Sequence, residues 1–305
     1  MNTPAILATN HLSKYYNNVC RVNKVNMAVH EGEIYGFLGP NGAGKTTTLK
    51  MLLGLTKPTE GSVSIFGKEC SKNRQFILSH IGSLIESPSY YGHLTGLENM
   101  RVMQKLREIP DKNIQEALHI VRLEKQKHKK VEQYSLGMKQ RLGIAMALIS
   151  FPRLLILDEP TNGLDPAGIG EIRELIKSLP KRYGMTILLS SHLLTEIEQI
   201  ATSVGIISDG NLLFQGDMEI LQARNKASIC IKTQDDASAE RVLLTYGYMP
   251  VHQHGHLHFE NMSDLQVAQV NKILVEAGFN VIRIEEHKKS LEDIFLELTG
   301  KERSL

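Results

Sequence analysis

The chain has 305 residues, of which 42% are hydrophobic, so it can bury one large core and a smaller one and is not a disordered protein. Its formal net charge of +2 at pH 7 gives no electrostatic argument for a nucleic-acid partner. The three cysteines, Cys20, Cys70 and Cys230, are odd in number and far apart, which favours reduced thiols over a disulfide framework or a metal cluster.

Neither a secretion signal nor a membrane span is predicted. Met1-Asn2-Thr3-Pro4 lacks the basic and then apolar pattern of a signal peptide. No stretch approaches about 18 uninterrupted apolar residues, the length that spans a bilayer. If the protein works at a membrane, we therefore expect another chain to supply the spans.

The first thirty residues are predicted to form strands. Val25, Met27 and Val29 alternate with polar residues, as in a half-buried strand. Upstream, Tyr15 and Tyr16 form an aromatic pair on a polar background. An aromatic ring can stack on a nucleotide base, and packing at a strand edge is the alternative that the residues alone favour.

A glycine-rich segment then matches the pattern G-x-x-x-x-G-K-[ST] of a phosphate-binding loop. It reads Gly39-Pro40-Asn41-Gly42-Ala43-Gly44-Lys45-Thr46. An apolar strand, residues 34–38, precedes it, and a helix beginning near Thr47 follows, so a chance glycine turn is disfavoured. Glycines allow backbone N–H groups to surround an anion at the positive end of a helix. Lys45 would bind the β- and γ-phosphates, and the Thr46 hydroxyl would hold Mg²⁺.

The middle of the chain contains predicted strands at 62–67 and 81–86 and predicted helices at 94–108 and 113–123. The second of these strands ends in a carboxylate, Glu86. A basic run at 125–130 could contact lipid or nucleic acid, but a solvated helix end is the preferred interpretation.

Ser135-Leu136-Gly137 opens a mostly apolar helix that is predicted to run to Ile149. Ser135 suits the N-cap position, and its hydroxyl and the free N–H groups of the first turn can receive an anion. Taken alone, this is a weak signal.

Residues 154–159 form a continuous apolar run that ends in two acids, Asp158 and Glu159, as expected for a buried parallel strand. Adjacent acids on a strand point to opposite faces, so one can serve a metal ion while the other faces a water molecule. A strand that simply reaches solvent is the alternative. The long turn that follows, which contains Asp165, argues against it, and Pro166 is predicted to begin a helix that ends near 179.

Residues 185–192 repeat this format and end in His192. A single histidine is usually a capping or surface residue, but α/β proteins bind ligands at the carboxyl ends of their strands. Next, Asp209-Gly210 between two apolar runs predicts a hairpin that closes the domain.

From about residue 219 the pattern changes, so we predict domains at 1–218 and 219–305. The second domain is predicted to be a small α+β unit of the ferredoxin-like type, and its last helix is placed at 291–298. His252, His254, His256 and His258 alternate along one segment. A metal site there is disfavoured because Gly255 interrupts the series and other ligands are not evident.

The chain resembles the nucleotide-binding subunits of ABC transporters. The resemblance lies in four features, in this order and context: the phosphate loop, the Ser135 helix start, the Asp158-Glu159 strand end and His192. The resemblance covers residues 5–217. Three segments look like those of the bacterial branch that exports bacitracin-type and lantibiotic peptides for resistance or self-immunity. These segments are 84–88, 134–142 and 290–300.

This resemblance implies an α/β fold, namely a P-loop NTPase core with an antiparallel β subdomain and a helical signature subdomain. It implies that Tyr16 stacks on adenine, that residues 39–47 bind ATP, and that Asp158 joins Thr46 in holding Mg²⁺. It further implies that Glu159 orients or deprotonates the attacking water and that His192 contacts the γ-phosphate.

The resemblance also implies two kinds of partner. Two subunits are expected to pack head to tail, with each ATP between one phosphate loop and the other subunit's Ser135 and Gly137, while Asp165 contacts the dimer partner. Integral membrane permease subunits would convert ATP binding and hydrolysis into motion. The chain would then lie on the cytoplasmic face of a bacterial membrane, and no nucleic acid is expected as a partner.

Two departures from the family pattern stand out. Glu86 replaces the usual glutamine near the metal, so it is expected to contribute to metal binding and catalysis or to permease coupling. Met138 replaces the last residue of the usual Ser-Gly-Gly-Gln signature and cannot make the hydrogen bonds of a glutamine. Both are interpreted as markers of the peptide-immunity branch.

Three functions remain to be compared. The first is the ATPase motor of a peptide exporter, and the second is the motor of an exporter for another cargo, such as a lipid, an ion or a drug. The third is an ABC ATPase that acts on DNA or the ribosome. The sequence argues against the third function. DNA-repair members of the family carry a long coiled coil between phosphate loop and signature, and ribosome-associated members usually carry two ATPase domains. This sequence has no such coiled coil and one ATPase domain.

Overall fold

The computed structural model describes residues 4–223, 227–253, 255–260, 262–288 and 294–295. The chain divides into two compact units, Met1–Met218 and Glu219–Leu305. Among the described residues, no helix combines the length and the apolar character that crossing a bilayer requires.

The strands of the first unit are β1 (Ala5–Tyr16), β2 (Val19–Val25), β3 (Ala28–His30), β4 (Ile34–Leu38), β5 (Glu60–Ile65), β6 (Lys68–Glu69), β7 (Ile81–Leu84), β8 (Leu154–Asp158), β9 (Thr186–Ser191), β10 (Ser203–Ser208) and β11 (Asn211–Asp217). Its helices are α1 (Lys45–Leu52), α2 (Arg74–Ser79), α3 (Gly96–Arg107), α4 (Lys112–Ile120), α5 (Leu136–Leu148), α6 (Pro166–Tyr183) and α7 (Leu194–Ile200). A further helix, α8 (Met218–Ala223), begins at the last residue of this unit.

The central sheet positions the predicted site residues. Its strand order is β11-β10-β4-β9-β8-β7, and all neighbours are parallel except β10 and β11. Strands β4, β8, β9 and β10 are buried along their whole length, as expected for parallel strands covered on both faces. Because β4, β9 and β8 are adjacent, the phosphate loop, His192 and the two acids follow neighbouring strand ends.

The second sheet of this unit has the order β2-β1-β5-β6, with β3 also paired to β1, and every pairing is antiparallel. Its apolar side chains, such as Leu7 and Val63, belong to one core cluster with Phe37 of β4 and Leu49 of α1. This sheet therefore packs against the central sheet and α1 through a shared core.

Helices α3, α4 and α5 pack against one another and form the helical part of the unit. Thr95 begins α3 with a capping box, in which Glu98 accepts the Thr95 N–H and its own N–H is bonded to the Thr95 hydroxyl. Ser135 caps α5 as predicted. The predicted fold class, an α/β core with an antiparallel β subdomain and a helical subdomain, is confirmed.

The predicted hairpin at Asp209-Gly210 is also confirmed. These residues have φ of 47° and 79°, the positive values that a tight hairpin turn needs. The predicted end of α6 near residue 179 was wrong, because the helix continues through Pro180 to Tyr183. A proline removes only its own N–H bond, and the helix is instead ended by Gly184, whose φ is 66° and whose N–H bonds to the Pro180 carbonyl.

The second unit contains β12 (Ala227–Thr233), α9 (Asp236–Thr245), β13 (Val251–Gln253), β14 (His256–Glu260), α10 (Asp264–Glu276) and β15 (Val281–Lys288). The sheet order β13-β14-β12-β15, entirely antiparallel, is the ferredoxin-like arrangement. Its core includes Ile231, Leu243, Leu257 and Leu274, all fully buried.

Two predictions for this unit fall partly outside the described residues: most of the helix predicted at 291–298, and His254 of the histidine series. Of that series, the structure places His258 with its Nδ1 3.0 Å from the Cys230 Sγ. Within the described part of the chain, no group of three metal-ligating side chains is present.

Candidate active site

The loop after β4 needs glycine at two positions for steric reasons. A Cβ on Gly39 would lie 2.3 Å from the Ile207 carbonyl oxygen, and one on Gly44 would lie 2.6 Å from that of Arg21. Gly44 also has φ of 107°, which residues with side chains rarely adopt. The backbone can therefore curve tightly here and lead directly into α1, whose first N–H groups point to the loop.

Lys45, the first residue of α1, is only 5% exposed and lies inside this loop. Its Nζ donates hydrogen bonds to the carbonyl oxygens of Gly39 at 2.7 Å and Pro40 at 3.3 Å. The same Nζ lies 3.3 Å from the Glu159 Oε1. The loop thus fixes a buried positive charge beside the carboxylate that the sequence marked as the candidate base.

Thr46 and Asp158 come together as predicted for a pair of metal ligands. The Thr46 hydroxyl donates to Asp158 Oδ2 at 2.9 Å, and the Ser190 hydroxyl donates to Asp158 Oδ1 at 2.5 Å. Asp158 is only 4% exposed. A hydroxyl and a carboxylate oxygen are ligands that Mg²⁺ prefers, so this donor set fits the ion.

Glu159 leaves the end of β8 with φ of 46°, in the left-handed region that few non-glycine residues adopt. Its N–H donates to the Ser190 hydroxyl at 3.0 Å. Its Oε2 lies 3.0 Å from Nδ1 of His192, which follows the adjacent strand β9. One carboxylate therefore contacts the phosphate-loop lysine with one oxygen and the histidine with the other.

Tyr16 lies beside the loop with 45% of its surface exposed, and the Lys14 Nζ is 4.9 Å from its ring centroid. The ring borders a cleft of about 310 Å³, which is lined by Tyr16, Arg21, Asn41, Gly42, Gly44, Lys45, Thr46, Thr47 and Glu159. This cleft joins an aromatic surface to a phosphate-binding loop, the two features that a purine nucleotide needs.

Glu86 follows β7 with φ of 59°, and its Oε1 lies 2.6 Å from the Nζ of Lys50. This hydrogen bond raises the pKa of the Lys50 ammonium. Lys50 stands one helical turn after Thr46 on α1, so the pair lies on the side of the helix that carries the predicted metal ligand Thr46. Both side chains are partly exposed, so the Coulomb energy of the pair is small.

Ser135 and Asp165 act as helix caps in the structure. The Ser135 hydroxyl accepts the N–H of Met138 at 3.3 Å, and Asp165 Oδ1 accepts that of Gly168 at 2.9 Å. Ser135 and Asp165 are exposed and Gly137 is half-buried. Within the residues the structure describes, none of the three lines the cleft at Lys45.

Sequence reasoning missed three residues of this site: Arg21, which lines the cleft, Lys50, which contacts Glu86, and Ser190, which contacts Asp158 and Glu159. The spacing of four residues between Thr46 and Lys50 on a predicted helix could have suggested Lys50. Arg21 reaches the cleft, and Ser190 reaches Asp158 and Glu159, only through the pairing of strands that are distant along the chain.

Comparison with known proteins gives a consistent assignment. The sequence profile of the family described as ABC transporter matches residues 22–162. The bacitracin transport ATP-binding protein BcrA of Bacillus licheniformis is 46% identical over 301 residues, which is 97% of both chains. The lantibiotic transport ATP-binding protein SrtF of Streptococcus pyogenes is 44% identical and covers 70% of this chain and 92% of its own.

Among solved structures, the ATP-binding cassette MJ0796, described as a dimer in a post-hydrolysis state bound to ADP and Pi, has a TM-score of 0.63. It is 26% identical and covers 70% of this chain and 98% of its own. Fold and cleft together define an ATP-hydrolysing P-loop ATPase. The chain belongs to the ABC transporter family, among its ATP-binding subunits. The predicted family and the predicted ATPase activity are confirmed.

Proposed function

We propose that this chain is the motor subunit of an exporter that clears an antimicrobial peptide of the bacitracin or lantibiotic type, for resistance or self-immunity. The similarity to the bacitracin transport protein carries this proposal, because it extends over 97% of the chain and so includes the second unit. The similarity to the lantibiotic transport protein, over 70% of the chain, supports the same class of cargo.

The contacts of the cleft support a division of roles in hydrolysis. Tyr16 would stack on the adenine, and Lys45 with the amides of residues 39–47 would bind the phosphates. Thr46 and Asp158, already 2.9 Å apart, would hold Mg²⁺. The ion, when bound, neutralises charge on the phosphate oxygens.

Glu159 would orient or deprotonate the attacking water, and its hydrogen bond to His192 supports this role. The histidine fixes Oε2 at 3.0 Å, so the carboxylate keeps one orientation. His192 would also contact the γ-phosphate and stabilise the charge that develops there. Replacing Glu159 with Gln should abolish turnover while nucleotide binding persists, as measured by phosphate release and nucleotide titration.

The exposed ends of α5 and α6 support a head-to-tail dimer. Ser135 and Gly137 do not line the chain's own cleft, and Asp165 is exposed on the loop before α6. We infer that Ser135 and Gly137 close the ATP site of a second copy and that Asp165 contacts the same partner. The dimeric MJ0796 cassette, with 26% identity, supports this assembly.

We place the chain on the cytoplasmic face of a bacterial membrane, bound to integral permease subunits. Purification from membranes, followed by identification of the proteins that remain attached, tests this placement. Recovery of a permease together with this chain supports the membrane placement. Recovery of the chain with ribosomes or DNA instead would favour an ABC ATPase that acts on the ribosome or DNA.

The cargo is tested separately from the ATPase. Deletion of the gene should increase sensitivity to a bacitracin-type or lantibiotic peptide, and the wild-type chain but not the Glu159→Gln variant should restore resistance. Unchanged sensitivity to both peptide classes, together with intact ATPase activity, would favour another cargo, such as a lipid, an ion or a drug.

Glu86 has a place in this proposal as a residue that tunes metal binding or permease coupling. Its carboxylate is held 2.6 Å from Lys50, one turn from the metal ligand Thr46. A Glu86→Gln variant should change the Mg²⁺ dependence of hydrolysis or the resistance that the exporter confers. If neither changes, Glu86 has no part in the mechanism.

A further inference from the structure

A buried carboxylate, Glu196, follows His192 in the next helix of the chain. Glu196, in helix α7, is only 6% exposed. The hydroxyl groups of Thr161 and Ser191 both donate to its Oε2, at 2.7 Å and 2.8 Å. These two residues are also buried, with 4% and 2% exposure. Within residues 4–223, no lysine, arginine or histidine forms an ion pair with this carboxylate.

Burying a carboxylate without a cation is unfavourable, and hydrogen bonds to the charged form are what offset it. Here the donors are two hydroxyl groups from separate segments, which meet at a single oxygen atom. The carboxylate is therefore a fixed link between those segments, since either segment can move only by breaking a buried, charge-assisted hydrogen bond.

The two linked segments adjoin Glu159 and His192, the residues with proposed roles in ATP hydrolysis. Thr161 begins the loop that follows Glu159 and leads to Asp165, and its carbonyl accepts the Leu164 N–H at 3.2 Å. Ser191 directly precedes His192. Glu196 thus joins the loop after the candidate base to the end of the strand that presents the histidine.

A cavity of about 130 Å³ shows that this link adjoins the reactive groups. Its lining includes Glu159, Thr161, Ser191, His192 and Glu196. The linked hydroxyls, the candidate base and the histidine therefore border one small space. A shift of either segment would change the 3.0 Å contact between Glu159 and His192.

We propose that Glu196 is a positioning residue for ATP hydrolysis: by accepting from Thr161 and Ser191, it holds Glu159 and His192 in their mutual geometry. It also connects the loop that carries Asp165 to the histidine. This inference rests on the proposed roles of Glu159 and His192. Misplacing a reacting group by about 1 Å can lower a rate about 100-fold, so the effect should appear in kcat.

The test compares three variants of the full-length chain by steady-state ATP hydrolysis. Glu196→Leu, which accepts no hydrogen bond, should lower kcat about 10-fold to 100-fold and leave the affinity for ADP within about twofold. Glu196→Gln should keep kcat within about threefold, because its amide oxygen can accept both hydroxyls. Glu198→Leu, an exposed acid on the same helix, is the matched control and should match wild type.

A double-mutant cycle keeps the inference testable if Glu196→Leu folds poorly. Thr161→Val should lower kcat by itself, and adding it to Glu196→Leu should cost less than the product of the two single effects. Full kcat in Glu196→Leu or Thr161→Val, or a loss in Glu196→Gln equal to that of Glu196→Leu, would overturn the inference. Persistent hydrolysis by Glu159→Gln would instead overturn the proposed function, whatever the Glu196 variants show.

Discussion

The ion pair between Lys45 and Glu159 should weaken nucleotide binding. Lys45 is 5% exposed and its Nζ lies 3.3 Å from the Glu159 Oε1. A phosphate that binds Lys45 competes with this carboxylate for the same ammonium, and it also experiences the repulsion of the carboxylate charge. Replacing Glu159 with Gln removes both effects and retains nearly the same shape.

The magnitude follows from the strength of the contact. A hydrogen bond to a charged group contributes about 1.5–3 kcal/mol, and a neutral one contributes about 0.5–1.5 kcal/mol. The difference, about 1–1.5 kcal/mol, corresponds to about 5-fold to 12-fold in a dissociation constant. Glu159→Gln should therefore bind ADP about 5-fold to 12-fold more tightly than wild type does.

The assay is titration of a fluorescent ADP analogue, since neither protein hydrolyses ADP and no ATP-dependent association intervenes. Glu198→Gln removes an exposed acid and serves as the charge control. The gain should persist at 0.5 M salt, because buried charges are screened less than exposed ones. Equal or weaker ADP binding by Glu159→Gln would show that the ion pair does not compete with phosphate.

Other regions give further predictions. At pH 8, a maleimide should modify the exposed Cys20 well before Cys70, whose burial raises its thiol pKa to about 11, and equal rates would contradict this. Leu257→Ala should lower the free energy of unfolding of the second unit by about 2–5 kcal/mol and speed hydrogen exchange in β12 and β14, whereas unchanged exchange would argue against that core. Burial raises the pKa of Glu33, so its contribution to stability is present at low pH and lost as pH rises through that pKa. Wild type should therefore lose more stability than Glu33→Gln between pH 4 and pH 7 in urea unfolding, and parallel curves would refute this.

The features that sequence alone predicted are those with a local signal. The phosphate loop, the Ser135 cap and the Asp209-Gly210 hairpin are fixed by glycine conformation, capping chemistry and turn residues within a few positions. The alignment of site residues could be predicted too, because parallel strands share one carboxyl edge.

The features that sequence could not predict depend on side chains distant along the chain. The contacts of Lys45 with Glu159 and of Thr161 with Glu196 arise only when β4, β8 and β9 are adjacent. Polar residues that meet in this way leave no periodic pattern.

Local rules also failed where the surrounding structure overrides them. The end of helix α6 was misplaced near residue 179, because the helix continues through Pro180 and is ended by Gly184. Strand β13 was missed because three residues are too few to show an alternation.

In the proposed assembly, two copies of this chain close around ATP, and each supplies the Ser135 helix end to the other's phosphate loop. The most direct measurement is the mass of the Glu159→Gln variant by light scattering, with and without Mg²⁺ and ATP. We expect a monomer that becomes a dimer when both are present, and we expect that dimer to be lost when Ser135 is replaced with Arg. A protein that binds no ATP and stays monomeric under these conditions would contradict it.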